Sequence, residues 1–95
     1  MQGSSFEWDE VKDSLNQKKH GVSFDLAQQV FDDPKRIIVR DVEHEKGEKR
    51  FFCMGLVKGG ILTVRFSFWR KKICIFGAAI WRQGRKRYEE ENKIY

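Results

Sequence analysis

Arg65 is the residue whose placement most invites chemistry. In the run Leu62 to Phe68, the residues Leu62, Val64, Phe66 and Phe68 alternate with Thr63, Arg65 and Ser67, so its side chain lies opposite the apolar set. Arg50 and Arg70 stand on or beside neighbouring strand-like segments. Three guanidiniums on one side of a sheet would suit a phosphate, because each planar fork matches two phosphate oxygens. The plainer reading is a polar solvent face whose arginine stems cover apolar surface. Trp69 and Trp81 flank these cations, and an indole beside arginine can stack on an unpaired base. Trp81 is equally large enough to belong half to a core.

Near the C-terminus, Arg82, Arg85, Lys86 and Arg87 precede Glu89, Glu90 and Glu91, the reverse of the order a helix dipole favours. Exposed pairs of Arg85 with Glu89, Lys86 with Glu90 and Arg87 with Glu91 would explain this. So would an anion site at the start of the helix. His20 has a side chain suited to proton transfer at neutral pH, yet it also stands where a helix C-terminus favours a cation. His44 lies in an acidic stretch and reads as an exposed loop histidine. No nucleophile elbow, phosphate-binding glycine loop, dinucleotide fingerprint or metal-ligand spacing is present, so no cofactor or metal is expected.

Charge is divided along the chain. Residues 1–48 hold seven Lys or Arg against eleven Asp or Glu, and residues 49–95 hold twelve against three. A basic half on 95 residues predicts attraction to phosphate or to an acidic partner. The length allows one domain with one modest core. No stretch approaches the roughly 20 apolar residues of a membrane helix, and a soluble, cytoplasmic protein is expected. Cys53 and Cys74 fall in apolar segments and read as reduced core residues.

These groups need elements to hold them. Residues 1–5 lack an apolar period and read as a frayed or leftover end, with one domain over residues 6–95. Phe6, Glu7 and Trp8 make a short extended start, after which Asp9 is an N-cap, Trp8, Val11 and Leu15 form an apolar stripe, and Gly21 stops the helix. Ser23 caps a second helix through Phe31, which Asp33-Pro34 breaks. The period then changes to two, giving strands around Ile37 to Val39, Arg50 to Leu56, Leu62 to Phe68 and Ile73 to Ala78, with turns at Lys58-Gly59-Gly60 and Arg70-Lys71-Lys72. Ile80 to Asn92 closes as a helix. The fold class is α+β: two N-terminal helices, an antiparallel meander of about four strands and a C-terminal helix.

Phe6-Glu7-Trp8-Asp9, Lys19-His20-Gly21-Val22-Ser23-Phe24 and Val30-Phe31-Asp32-Asp33-Pro34, followed by Glu48-Lys49-Arg50-Phe51, Gly55-Leu56 and the Arg-rich helix ending Tyr88-Glu89, resemble the BrnT toxins. The resemblance covers nearly the whole chain from Phe6. It implies a RelE-like fold, a ribonuclease toxin of a type II toxin–antitoxin pair, and a cognate antitoxin with a ribbon-helix-helix DNA-binding part, operator DNA being reached only through that antitoxin. Many family members read Ser-Ala-Arg where this chain has Gly77-Ala78-Ala79, and Trp69 stands in place of a common acidic residue. The matching positions carried over are His20, Arg50 and Arg70.

The mechanism expected is metal-independent attack of a ribose 2′-hydroxyl on its own phosphate, with the protein supplying orientation and charge. Arg50, Arg65, Arg70 and Arg85 would bind RNA phosphate, and Arg65 and Arg82 would stabilise developing charge. His20 or Tyr88 would move protons, and Trp81 would stack a base. A noncatalytic RNA-binding module, or an antitoxin-binding protein with degenerate activity, are the alternatives.

Overall fold

The computed structural model describes residues 5–93. The elements in chain order are β1 (Ser5–Glu7), α1 (Glu10–His20), α2 (Phe24–Ala27), a 3-10 turn (Gln28–Asp32), β2 (Ile37–Arg40), a 3-10 turn (Val42–His44), β3 (Arg50–Val57), β4 (Gly60–Trp69), β5 (Lys72–Ala79) and α3 (Arg82–Glu91). The sheet has five strands in the order β1-β5-β4-β3-β2. β2 to β5 form the expected antiparallel meander, and β1 adds a parallel strand through Ser5 with Lys72, Phe6 with Ile73 and Glu7 with Cys74. The sheet is therefore mixed, a correction to the four-strand expectation. Ser5, set aside with the frayed end, opens β1, and residues 1–4 of that end lie outside the described residues.

One face of the sheet carries the core. Val64 and Phe66 of β4, with Cys53 and Ile75 beside them, bury against Phe24, Ala27, Val30 and Phe31. Phe31 meets Phe66 edge-on at 5.0 Å, the geometry that ring quadrupoles favour. Gly55 makes this layer possible: a Cβ there would come within 2.9 Å of the backbone of Val30. The second helix runs only to Ala27 and tightens into the 3-10 turn, shorter than the helix expected through Phe31.

α1 is capped as expected. Asp9 Oδ1 accepts from Val11 N at 2.8 Å, and Gly21 takes φ +69° with its N–H on Gln17 O. The expected apolar stripe is another matter, since Val11 and Leu15 are 66% and 59% exposed. Polar bonds hold this helix instead. Asn16 donates to Ala78 O and Val22 O at 2.8 Å each and accepts from Ala78 N at 3.2 Å, while Asp13 accepts from Phe24 N. β1 borders only residues 72–74 of β5, and the Asn16 amide supplies the missing strand partner farther along.

The opposite face is covered by α3, which begins at Arg82 with Trp81 as its cap and leaves Ile80 exposed. Gly84 packs directly over Thr63 and Met54, and a Cβ there would overlap Thr63 Oγ1. The polar set of β4 is thus not solvated, since Thr63 and Ser67 are buried. Tyr88 anchors the far end of α3 by donating to Asp33 Oδ2 at 2.6 Å, and the Leu56 and Lys35 amides reach the same carboxylate. Burial works to raise the Asp33 carboxyl, but those bonds and the Lys35 charge outweigh it and lower the group overall. Burial, together with the Asp33 bond and charge, pushes Tyr88 up to about 12. Of the three acid–base pairs expected on this helix, Arg85 with Glu89 forms, at 3.3 Å, and among the described residues the other two do not.

Cys53 is buried and Cys74 only partly so; both are free thiols, and Cys74 Sγ donates to Glu7 Oε1 at 3.2 Å. No helix among the described residues is long and apolar enough to cross a membrane.

Two expectations follow for stability. Gly55→Ala and Gly84→Ala should each lower the urea midpoint by the equivalent of about 1 to 3 kcal/mol, the usual cost of overpacking. Tyr88→Phe should cost about 2 kcal/mol near neutrality, the scale of a hydrogen bond to a charged group. Because the Asp33 carboxyl is lowered on folding and the Tyr88 hydroxyl raised, the gap between wild type and Tyr88→Phe should be constant from about pH 5 to 9. It should shrink as pH falls through the lowered value of Asp33, and shrink again as pH rises from about 10 toward 12. Chemical denaturation across pH measures both limbs.

Candidate functional site

A groove of about 610 Å³ runs over the sheet between α1 and the start of α3. Its floor is Phe52 of β3, Thr63 and Arg65 of β4, and Phe76 to Ala79 of β5. Lys12, Leu15, Asn16, Lys19 and His20 of α1 form one wall, Ile80 and Trp81 the other, and His44 closes an end. The α1 residues recur at three and four, which places them on one helical face. Among the residues lining this groove there is no carboxylate, in a chain that holds 14 Asp and Glu. Three permanent cations and two imidazoles therefore set its charge.

Arg65 and Arg50 converge on one ring. Their guanidinium carbons lie 5.2 Å and 4.7 Å from the centroid of Phe76. Arg65 is brought there by an irregularity in the β4–β5 pairing at Arg65/Phe66 and by Gly77, opposite Arg65, whose missing Cβ gives room to the arginine stem. The Nε of each arginine is buried without a hydrogen-bond partner. Arg50 Nε lies 3.6 Å from Glu48 Oε1, an ion pair too long for a hydrogen bond, and Arg65 has no acidic partner among the described residues. A second hollow of about 360 Å³ continues from Phe76 and Arg50 past Lys12 to Trp69, and here Glu7, Asp9 and Glu48 do take part.

Of the other residues read from sequence, His20 lines the groove at the last position of α1, with no hydrogen-bond partner among the described residues. Trp81 lines it too, 40% exposed, with its ring stacked on Phe52 at 5.4 Å and 30°. Arg70 sits apart in the β4–β5 hairpin, over the Trp69 ring at 5.0 Å, so two of the three arginines meet rather than three. Arg82 is exposed at the first turn of α3 and is not among the groove's lining residues. Arg85 and Tyr88 belong to a different hollow beside Asp33 and Leu56.

Sequence reasoning missed Phe76, Lys12, Lys19 and the Asp41 partner of His44. His44 is an exposed residue of the β2–β3 loop, as read from the sequence, its side chain 57% exposed, and it also lines one end of the groove, with its Nδ1 3.0 Å from both oxygens of Asp41. Asp41 is 6% exposed and its backbone N–H donates to Arg50 O at 2.8 Å. The Asp-x-x-His spacing was the available signal, hidden by the acidic residues around it. No three described His, Cys, Asp or Glu residues are grouped to hold a metal ion.

A search among curated proteins returns no match for the chain. Residues 8–85 match the protein family described as ribonuclease toxin, BrnT, of type II toxin-antitoxin system. That span takes in both walls and the floor of the cation-lined groove, and the chain belongs to the BrnT family of ribonuclease toxins, which act opposite an antitoxin.

Proposed function

We propose that the groove binds single-stranded RNA and cuts it without a metal, by attack of a ribose 2′-hydroxyl on the adjacent phosphate. The observation that carries this reading is the pair of guanidiniums over Phe76, beside a groove with no carboxylate in its lining. Arg65 lines the groove without an acidic partner among the described residues, and Arg50 lines the adjoining hollow with Glu48 3.6 Å away, so an anion in the groove would be the partner that Arg65 lacks. The phosphate would sit against Arg50 and Arg65, whose forks match its oxygens and whose charge grows in value as the phosphorane becomes more negative. The exposed face of Trp81 would take a base, its other face being fixed by Phe52. Lys12 and Lys19 would follow the backbone along α1.

The remaining cations have outer roles in this reading. Arg82 adjoins the groove through Trp81 and would stabilise charge on an incoming phosphate at the groove's mouth. Arg70 and Arg85, each outside the groove, would meet flanking nucleotides. Tyr88 is committed to Asp33 and contributes through the position of α3. The chain would be RelE-like in architecture, work in the cytoplasm, and be neutralised by an antitoxin carrying a ribbon-helix-helix part that reaches operator DNA.

Incubating the purified chain, free of antitoxin and in EDTA, with total RNA and with ribosomes should give new ends bearing 2′,3′-cyclic phosphate. Arg50→Ala and Arg65→Ala should each slow cleavage about 100-fold or more, with the fold retained by circular dichroism. RNA left intact but bound with a steep salt dependence would instead make the chain a binding module.

A further inference from the structure

We propose that His44 is the general base of the cleavage and that Asp41 is the residue that positions it. The proposal rests on the RNA-cleaving reading above and deepens it. A carboxylate only accepts, so the contact of both Asp41 oxygens with His44 Nδ1 fixes the proton on Nδ1. The Nε2 lone pair is then left for the groove that His44 lines. An imidazole that takes a proton there forms an ion pair with the buried Asp41 carboxylate at 3.0 Å. This is the arrangement by which a carboxylate orients a base in hydrolases.

The backbone holds the base in register with the phosphate site. Asp41 and Arg50 stand at the two ends of the β2–β3 loop and are joined by the Asp41 N–H to Arg50 O bond. Glu45 braces the same loop, taking a two-pronged bond from Arg40 at 2.7 and 2.9 Å and a third from the Arg50 N–H at 3.2 Å. These bonds fix the loop that carries His44 against the first residue of β3. His20, on the opposite wall, has no such orienting group.

In the step itself His44 Nε2 takes the proton of the ribose 2′-hydroxyl as the 2′ oxygen bonds to phosphorus. The bond from phosphorus to the 5′ oxygen breaks, and that oxygen leaves with its electron pair and takes a proton from His20 or from water. The products are a 2′,3′-cyclic phosphate and a 5′-hydroxyl, and His44 then returns its proton to solvent.

The test is cleavage by His44→Ala and His44→Gln in EDTA with total RNA and with ribosomes, alongside RNA affinity. Cleavage should fall about 100-fold or more with affinity within about twofold of wild type, and added imidazole should restore part of the rate to His44→Ala. Asp41→Asn should lower turnover without weakening binding, and Asp41→Asn with His44→Ala should be no slower than His44→Ala alone. A short RNA with sulfur in place of the bridging 5′ oxygen, whose leaving group needs no proton, should leave the His44→Ala defect in place. Wild-type rates in both His44 variants would overturn the assignment while leaving the nuclease reading intact. So would a loss that imidazole does not relieve and that follows a loss of affinity. Rescue by the sulfur substrate would make His44 the acid rather than the base. A wild-type chain that cuts no RNA would overturn both readings.

Discussion

The Phe76 ring, against which the guanidiniums of both Arg50 and Arg65 lie, is the contact around which the open side of this small sheet is arranged. Each cation is held against the π face with its stem in a strand rather than a loop. Arg50 keeps Glu48 at 3.6 Å, whereas Arg65 has no acidic partner among the described residues. Acidic residues are instead placed around the rim, at Glu7, Asp9 and Glu48, or used to brace loops, at Asp33, Asp41 and Glu45. The groove draws its cations from both halves of the chain, Lys12 and Lys19 from the acidic one and Arg65 from the basic one, while the carboxylates stand outside its lining.

The supports of the groove are mostly polar. α1 buries no side chain and is nevertheless a wall of the groove, because Asn16 serves β5 as a strand would and Asp13 ties the helix to the start of α2. α3 is brought down onto the sheet by the absence of a side chain at Gly84 and fixed at its far end by Tyr88 and Asp33. A 95-residue chain has one modest core, and here that core is spent on the face away from the groove. Hydrogen bonds to side chains position the groove face.

Much of this was legible in residue order and some was not. The period-two runs gave β2 to β5 within a residue or two, because their apolar residues alternate onto one side or the other of the sheet, and Asp9 and Gly21 marked α1 by local chemistry alone. A short extended start was read at Phe6 to Trp8, but its pairing as β1 with β5 was not, since three residues in a parallel edge pairing leave no periodic trace. Val11 and Leu15 misled, because apolar spacing on a short helix does not say whether a partner surface exists. Arg50, Arg65, His20 and Trp81 were named from sequence and all lie at or beside the groove. Their convergence on Phe76 was not visible, because it depends on a pairing irregularity and on Gly77 across the sheet. Arg82 and Arg85 were drawn in as cations gathered at a helix start and Tyr88 as a proton carrier on the same helix, yet a helix turns successive residues to different sides.

Asn16 reaches 62 residues along the chain to Ala78, and β1 pairs with the strand that begins at Lys72. During synthesis α1 is made early, tied only to residues 22–24 by Asn16 and Asp13, and its tie to the sheet waits for β5. The groove is complete only when Ile80 and Trp81 follow β5 and add the second wall. A chain that stops before β5 has α1 and both imidazoles but neither the full floor nor the second wall of the cleft they line.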